Sequence, residues 1–267
     1  MNRAILSGVL TVVTAAGLMA QKPKSKGEVE ALQAAFNATT ADARIDAAQK
    51  CLVKYADTEF KAILLNMIAD AYRAKGDGDN VIVYSERVLS EADKNNYQAM
   101  ITLAETYAQR TREFDLDKED KLAKVDKYAN AAIEALKTAP KPNPQLTDDQ
   151  WNGAKKDYTA QAHQALGMGA MVRKKYDVAI DEFKQAAEGG SQPDPAASVR
   201  LATAYDAAGK YDDALVILDK LMAQADLNPT IRQFAQAERV RAMQGKGAVK
   251  PASAPPPGGT APETKKP

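Results

Sequence analysis

The sequence predicts an all-α protein: a right-handed superhelical solenoid of antiparallel helical hairpins, about five repeats plus a C-terminal capping helix. Three observations carry this. A short phrase recurs: Ile68-Ala69-Asp70-Ala71-Tyr72, Leu103-Ala104-Glu105-Thr106-Tyr107 and Leu201-Ala202-Thr203-Ala204-Tyr205, with Leu166-Gly167-Met168-Gly169-Ala170 as a weaker copy. The first two copies start 35 residues apart, and Leu166 and Leu201 are separated by the same interval; a period of this size is that of stacked helical hairpins. The composition supplies the second: Ala, Leu, Lys, Glu and Gln are strong helix formers, while Val and Ile runs of strand type are scarce. Gly, Pro and Asn pairs punctuating the apolar periodicity supply the third.

Residues 1–20 read as an export signal. Arg3 gives the positive start, Ile5 to Met19 the apolar stretch, and Ala20 a cleavage point, with Gln21-Lys22-Pro23-Lys24 opening the mature chain. Leu18 stands where a small residue is preferred, so cleavage after Ala16 is the alternative. The stretch is short for an uncleaved bilayer anchor, which needs roughly 20 residues. The predicted product is an exported protein, periplasmic or secreted, with no stable membrane insertion after cleavage.

Residues 21–27 read as a linker, and a helical repeat domain follows over 28–243. Its first unit, 28–58, pairs Glu28–Asn37 with Asp42–Tyr55, Thr40 serving as N-cap of the second helix. The second unit, 62–96, pairs Ala62–Lys75 with Val81–Glu91. The turn Gly76-Asp77-Gly78-Asp79-Asn80 stops the first of these, and Asn95-Asn96 ends the unit. The third starts at Tyr97 and breaks the period, because Leu103 and Leu166 lie 63 residues apart. Leu122, Val125, Ala129, Ala132, Ile133 and Leu136 keep helical spacing, Pro140-Lys141-Pro142-Asn143-Pro144 forbids helix, and Thr147 with Gln150 forms a capping box. The spacing therefore predicts two over-long antiparallel helices near 118–138 and 148–173. They form a third unit over 97–139 with an extended hairpin to 159, projecting by roughly 10–15 Å. Units 160–194 and 195–228 follow, then a cap over 229–243. Residues 244–267, rich in Pro, Ala, Gly and Lys, read as a disordered tail.

Spacings within the units resemble the tetratricopeptide repeat (TPR). Leu166, Gly167, Tyr176, Ala179, Phe183 and Ala186 fit the family's pattern, and Leu201, Ala202, Tyr205, Gly209, Tyr211 and Ala214 fit it better. Leu103, Ala104 and Tyr107 match in the first helix of their hairpin only. Ile68, Ala69, Tyr72 and Gly76 are followed by Val81 and Val88 where Ala is usual. The resemblance implies that each hairpin's first helix lines a concave groove holding a protein or peptide partner. Carried over by position, that groove is lined by Asn66, Asp70 and Arg73, then Gln98, Ile101, Glu105 and Gln109. Gln161, Gln164, Met168 and Met171 follow, then Val199, Thr203 and Asp206. The set lacks the Lys and Asn residues by which chaperone-binding members clamp a terminal carboxylate.

The charge bears on partners. There are 36 Lys and Arg against 35 Asp and Glu, and loss of Arg3 with the leader leaves a formally neutral chain. A nucleic-acid-binding surface needs a basic excess, so no nucleic-acid partner is expected. Cys51 is the only cysteine, which excludes an internal disulfide.

No set of residues converges on catalysis, and no cofactor or metal is expected. Cys51 and His163 fall at packing positions in different units, too far apart for the hydrogen bond that nucleophilic catalysis needs. The run Asp115-Leu116-Asp117-Lys118-Glu119-Asp120 lacks the Gly and Glu of a calcium loop, offering Asp120 and Asp126 instead. Gly167-Met168-Gly169 has neither a preceding strand nor a third glycine, so close helix packing explains it better than a phosphate loop. Trp151 reads either as core at the hairpin base or as a partner anchor. The expected function is that of an exported scaffold or adaptor without catalysis. The alternative is a structural, self-associating component of a cell-envelope or secretion assembly.

Overall fold

A computed structural model describes residues 21–248. The expected export signal and residues 249–267 of the expected tail lie outside the described residues. Those described form α1 (Lys26–Asn37), α2 (Ala41–Lys54), α3 (Lys61–Ala74), α4 (Gly78–Arg87), α5 (Tyr97–Arg110), α6 (Lys118–Thr138), α7 (Asp148–Val172), α8 (Tyr176–Glu188), α9 (Pro195–Ala207), α10 (Tyr211–Met222) and α11 (Pro229–Ala248), and among them there is no strand. Each helix packs on its neighbours in sequence, and α5 also meets α7 while α9 meets α11. That is the nearest-neighbour arrangement of a helical solenoid: no hairpin buries its apolar face alone, so units must stack.

Local chemistry sets the helix starts. The Thr40 hydroxyl accepts from the Ala43 amide at 3.2 Å. At α7 the capping box forms in both directions: Gln150 N donates to Thr147 Oγ1, and Thr147 N donates to Gln150 Oε1. Asp194 caps α9, with Pro195 opening it. Helix α4 starts at Gly78 rather than Val81, because Asp77 is the cap that takes the Asn80 amide at 3.1 Å. Its end is a π-helical turn, Val88–Ala92, which keeps Val88 buried against Leu65 and Ala99.

The core is a string of clusters. Leu32, Ile45, Cys51, Phe60, Leu64 and Ile68 join α1 to α3. A larger group joins α5, α6 and α7 through Leu103, Leu122, Val125, Leu136 and Ala165. Ile180, Phe183 and Leu201 carry it on to α8 and α9, and Ala202, Leu218 and Ala235 to α10 and α11. Small residues sit where the phrase demanded them: Ala69, Ala104 and Ala202 are buried, and a Cβ on Gly167 would lie 2.7 Å from the Phe183 ring.

The over-long helices occur as expected, with 21 residues in α6 and 25 in α7. Their far end does not project bare, however. Trp151 is buried, its Nε1 donating to the Ala139 carbonyl at 3.2 Å. Tyr97 at the start of α5 packs against the rings of Trp151 and Tyr158. The aromatic residues of α7 close the hairpin over α5, so Trp151 is core rather than a free anchor. What stands exposed is the connection before α6, where Phe114 and Leu116 face solvent.

Both ends of the array also differ from expectation. The segment 21–27 is fastened rather than free: Lys24 Nζ reaches Asp57 Oδ2 at 2.6 Å, Lys22 N donates to Glu59, and α1 already begins at Lys26. At the other end α11 runs to Ala248, past Met243, because Gly245 lies against the Tyr211 ring and Lys246 pairs with Asp212.

The turn between the helices of a hairpin follows one rule. Gly76 and Gly209 take φ of +74° and +75°, each eight residues beyond the first residue of its phrase. Lys174 occupies the equivalent place after Leu166 with φ +59°, a left-handed conformation that strains an L-residue. In the third unit the corresponding residue, Thr111, is extended and opens the inserted connection. Lys174→Gly is therefore expected to raise the melting temperature by a few degrees and Gly76→Ala to lower it, as thermal unfolding of the two variants will read.

Candidate partner-binding face

The expected groove residues lie on α3, α5, α7 and α9, the first helices of successive hairpins, and several of them tie the helices together. Arg73 Nη2 donates to Thr102 Oγ1 at 2.6 Å and Asn66 Nδ2 to Asn96 Oδ1 at 3.3 Å, joining α3 to the α5 end. Gln98 Nε2 donates to the Tyr158 hydroxyl at 3.0 Å, joining α5 to α7. Ile101 is 3% exposed within the α5–α7 core and so does not line a surface. It falls on the side of α5 that the long α6–α7 hairpin covers.

The accessible part of the face is charged. Asp70 keeps about half of its side chain exposed (49%), with Arg73 Nη1 4.0 Å away. Displacement of water by the surrounding helices nevertheless raises its carboxyl pKa, while Arg73 and Arg44 pull it down. Glu105, half-buried on α5, is raised by the same desolvation. Arg73 and Arg200 oppose that shift and Asp70 adds to it. Arg200 belongs to α9 and Arg73 to α3, so the charges acting on Glu105 come from two other hairpins. The sequence reading missed Arg200 and Arg44, since neither stands at a position the repeat pattern marks.

The remaining residues are graded by burial. Gln109 is exposed, and Gln161, Gln164, Val199 and Thr203 are half-buried. Met168 packs against both the α5–α7 and the α8–α9 clusters, and Met171 against the latter, so the expected apolar spot is largely turned into the core. Asp206 is half-buried, and its Oδ1 has no hydrogen-bond partner among the described residues.

The other sequence candidates have structural employment. Cys51 is 1% exposed on α2, and burial pushes its thiol pKa up, away from the nucleophilic thiolate. His163 Nδ1 lies 2.7 Å from Glu182 Oε2, pairing α7 with α8. Asp115 accepts from the Arg112 amide and from Lys121 Nζ, and these bonds lower its pKa. Asp79 pairs with Arg110 at 2.6 Å. Among the described residues there is no group of three or more His, Cys, Asp or Glu placed to hold a metal ion. No helix among them is long and apolar enough to cross a membrane.

Comparison with known proteins gives a match of residues 170–238 to the tetratricopeptide repeat. No curated protein matches the chain. Among solved structures, an assembly chaperone of RpL4 (Acl4, residues 1–338) shares 13% identity over 83% of this chain and 98% of its own, with a TM-score of 0.39. A chain from the computational design of self-assembling cyclic homo-oligomers shares 17% identity over 92% of this chain and 96% of its own, with a TM-score of 0.21.

Proposed function

We propose, for a chain that is a tetratricopeptide-repeat protein over residues 170–238, that it is an exported scaffold binding a protein or peptide partner along the face of α3, α5, α7 and α9, with no chemistry of its own. The carrying observation is a set of charged side chains left accessible on α3 and α5: Asp70 exposed, Glu105 half-buried, and Arg73 held by Thr102 Oγ1 at 2.6 Å with its Nη1 4.0 Å from Asp70 Oδ1. Charged groups that neighbouring helices have partly desolvated interact more strongly with a polar partner, because less competing solvent has to be displaced. Export rests on residues 1–20; a secreted chain whose mass begins at Gln21 supports it, and a full-length cytoplasmic chain removes it.

The test of the face is co-purification from native envelope with the full chain carrying Asp70→Ala, Arg73→Ala and Glu105→Ala together. Partner recovery is expected to fall at least tenfold, about 1.4 kcal/mol or more, with the helical signal unchanged. Equal recovery would move the site to the exposed Phe114 and Leu116 connection.

One observation favours self-association as a second reading: α11 leaves Phe234, Val240 and Met243 at least half exposed at the end of the array. A concentration-independent monomer in sedimentation removes this reading and leaves the scaffold one standing.

A further inference from the structure

The second helix of each hairpin has an acid as its second residue: Asp42 in α2, Asp79 in α4, Glu119 in α6, Asp177 in α8 and Asp212 in α10. Each acid pairs with a cation of the next unit along the array. Lys75 holds Asp42, and Lys246 of α11 holds Asp212. Arg110 Nη2 lies 2.6 Å from Asp79 Oδ1, Arg173 Nε 3.0 Å from Glu119 Oε2, and Lys210 Nζ 2.8 Å from Asp177 Oδ1. The pairing follows the repeat, since Lys75, Arg110 and Arg173 each stand seven residues beyond the first residue of their phrase. These three cations close a first helix and every acid opens a second one, which are the helix ends whose dipoles favour those signs. The rungs also stop where the array stops. Helix α1 ends in Asn37 and Ala38, with no cation there for a preceding unit, and no second helix follows α11 among the described residues. All of the rungs therefore lie along the edge where hairpins turn, opposite the edge where one hairpin connects to the next.

We propose that this ladder is an ionic seam that sets the pitch of the array: attraction along it draws the turn edge closed, and screening by salt lets successive hairpins fan apart there while their cores stay packed. Exposed ion pairs add little to stability, so the apolar clusters, not the rungs, hold the units together. Tilting one unit on the next is a softer motion than unpacking it, and a small rotation at each interface accumulates along a solenoid. Rungs that all pull on one edge bias every interface in the same sense. The acidic side chains are 65% to 83% exposed, so ions of the solvent reach each rung. Contact pairs yield only when the Debye length approaches their own separation, which happens as it shrinks from about 10 Å at 0.1 M salt to about 3 Å at 1 M.

The deciding measurement is a pair of spin-label distances in the full chain, with Cys51 buried away from the label. Ala74→Cys with Ala207→Cys spans three rungs at the turn edge, and Lys94→Cys with Gln192→Cys reads the opposite edge; all four residues are exposed. Between about 0.1 M and about 1 M salt the turn-edge distance is expected to lengthen and the other to hold, with the helical signal unchanged. Asp79→Asn, Glu119→Gln and Asp177→Asn together should give the long turn-edge distance already at low salt and no further response. A turn-edge distance indifferent to salt overturns the seam, as do two edges that move alike or a triple variant that responds as the parent does. Should the triple variant fail to fold, Asp177→Asn alone decides: removing one of the three rungs should cut the response by about a third if they act independently, and an undiminished response overturns the proposal.

Discussion

Phe183→Ala is expected to remove roughly 3–5 kcal/mol of stability, as buried Phe truncations do. The ring is 2% exposed and lies across Gly167 of α7, with Ala170, Ala179 and Leu201 around it. It is the largest fully buried side chain joining α7 and α8 to α9, so its loss weakens the array at its fourth hairpin. Urea unfolding should show a lower midpoint, or two transitions if the halves separate. The equivalent pair one repeat later is Ala202 with Leu218, a methyl facing a smaller apolar group. Gly167→Ala alone places its Cβ against the ring and should cost stability despite the better helix propensity of Ala. Gly167→Ala combined with Phe183→Leu rebuilds the arrangement of the next repeat, so the double variant should lose less than the sum of the singles. Strict additivity would show that the two residues do not share the space.

Glu28→Ala is expected to cost about 3 kcal/mol, a value set by two charge-assisted hydrogen bonds in a buried place. The carboxylate is 1% exposed; Oε2 accepts from the Lys24 amide at 2.6 Å and Oε1 from the Thr58 hydroxyl at 2.5 Å. Thr58 Oγ1 in turn accepts from the Phe60 amide at 3.2 Å, so one side chain orients the chain entry and the start of α3 together. Alanine leaves the Thr58 hydroxyl without its acceptor inside the α1–α3 core. Glu28→Gln retains an acceptor oxygen and should lose less. Lys24→Ala, which removes only the exposed pair with Asp57, should be indistinguishable from wild type. Thermal melts of the three variants rank them; Lys24→Ala falling below Glu28→Ala would refute this anchoring.

How far the chain could be read in advance follows from where the information lies. Hairpin order, the capping box at Thr147 and the lengths of α6 and α7 are written locally, in periodicity and cap chemistry. The closure of the long hairpin was not, because Trp151 and Tyr158 find Tyr97 at a distance along the chain that no repeat period encodes. The proposed face divides in the same way. Asp70, Arg73 and Glu105 could be placed from their register in the repeat. The influence of Arg200 on Glu105 could not, since it crosses from one hairpin to another. Ile101 was misassigned because the repeat pattern assumes hairpins of equal length, and the longer α6–α7 pair covers the side of α5 that a regular repeat leaves open. The partial burial of Met168 and Met171 has no local signal either; both pack against a cluster that α8 and α9 complete with Ile180, Phe183 and Leu201.

The string-like core also governs how the molecule gives way under load. With helices touching only near neighbours, a pull applied at either terminus has no distant lever to act through, so hairpins should peel away one after another rather than burst together. The knot that resists longest is α5 with α6 and α7, where one short helix is gripped by two long ones. A single-molecule stretching trace should therefore show a staircase of small releases ending in one larger step.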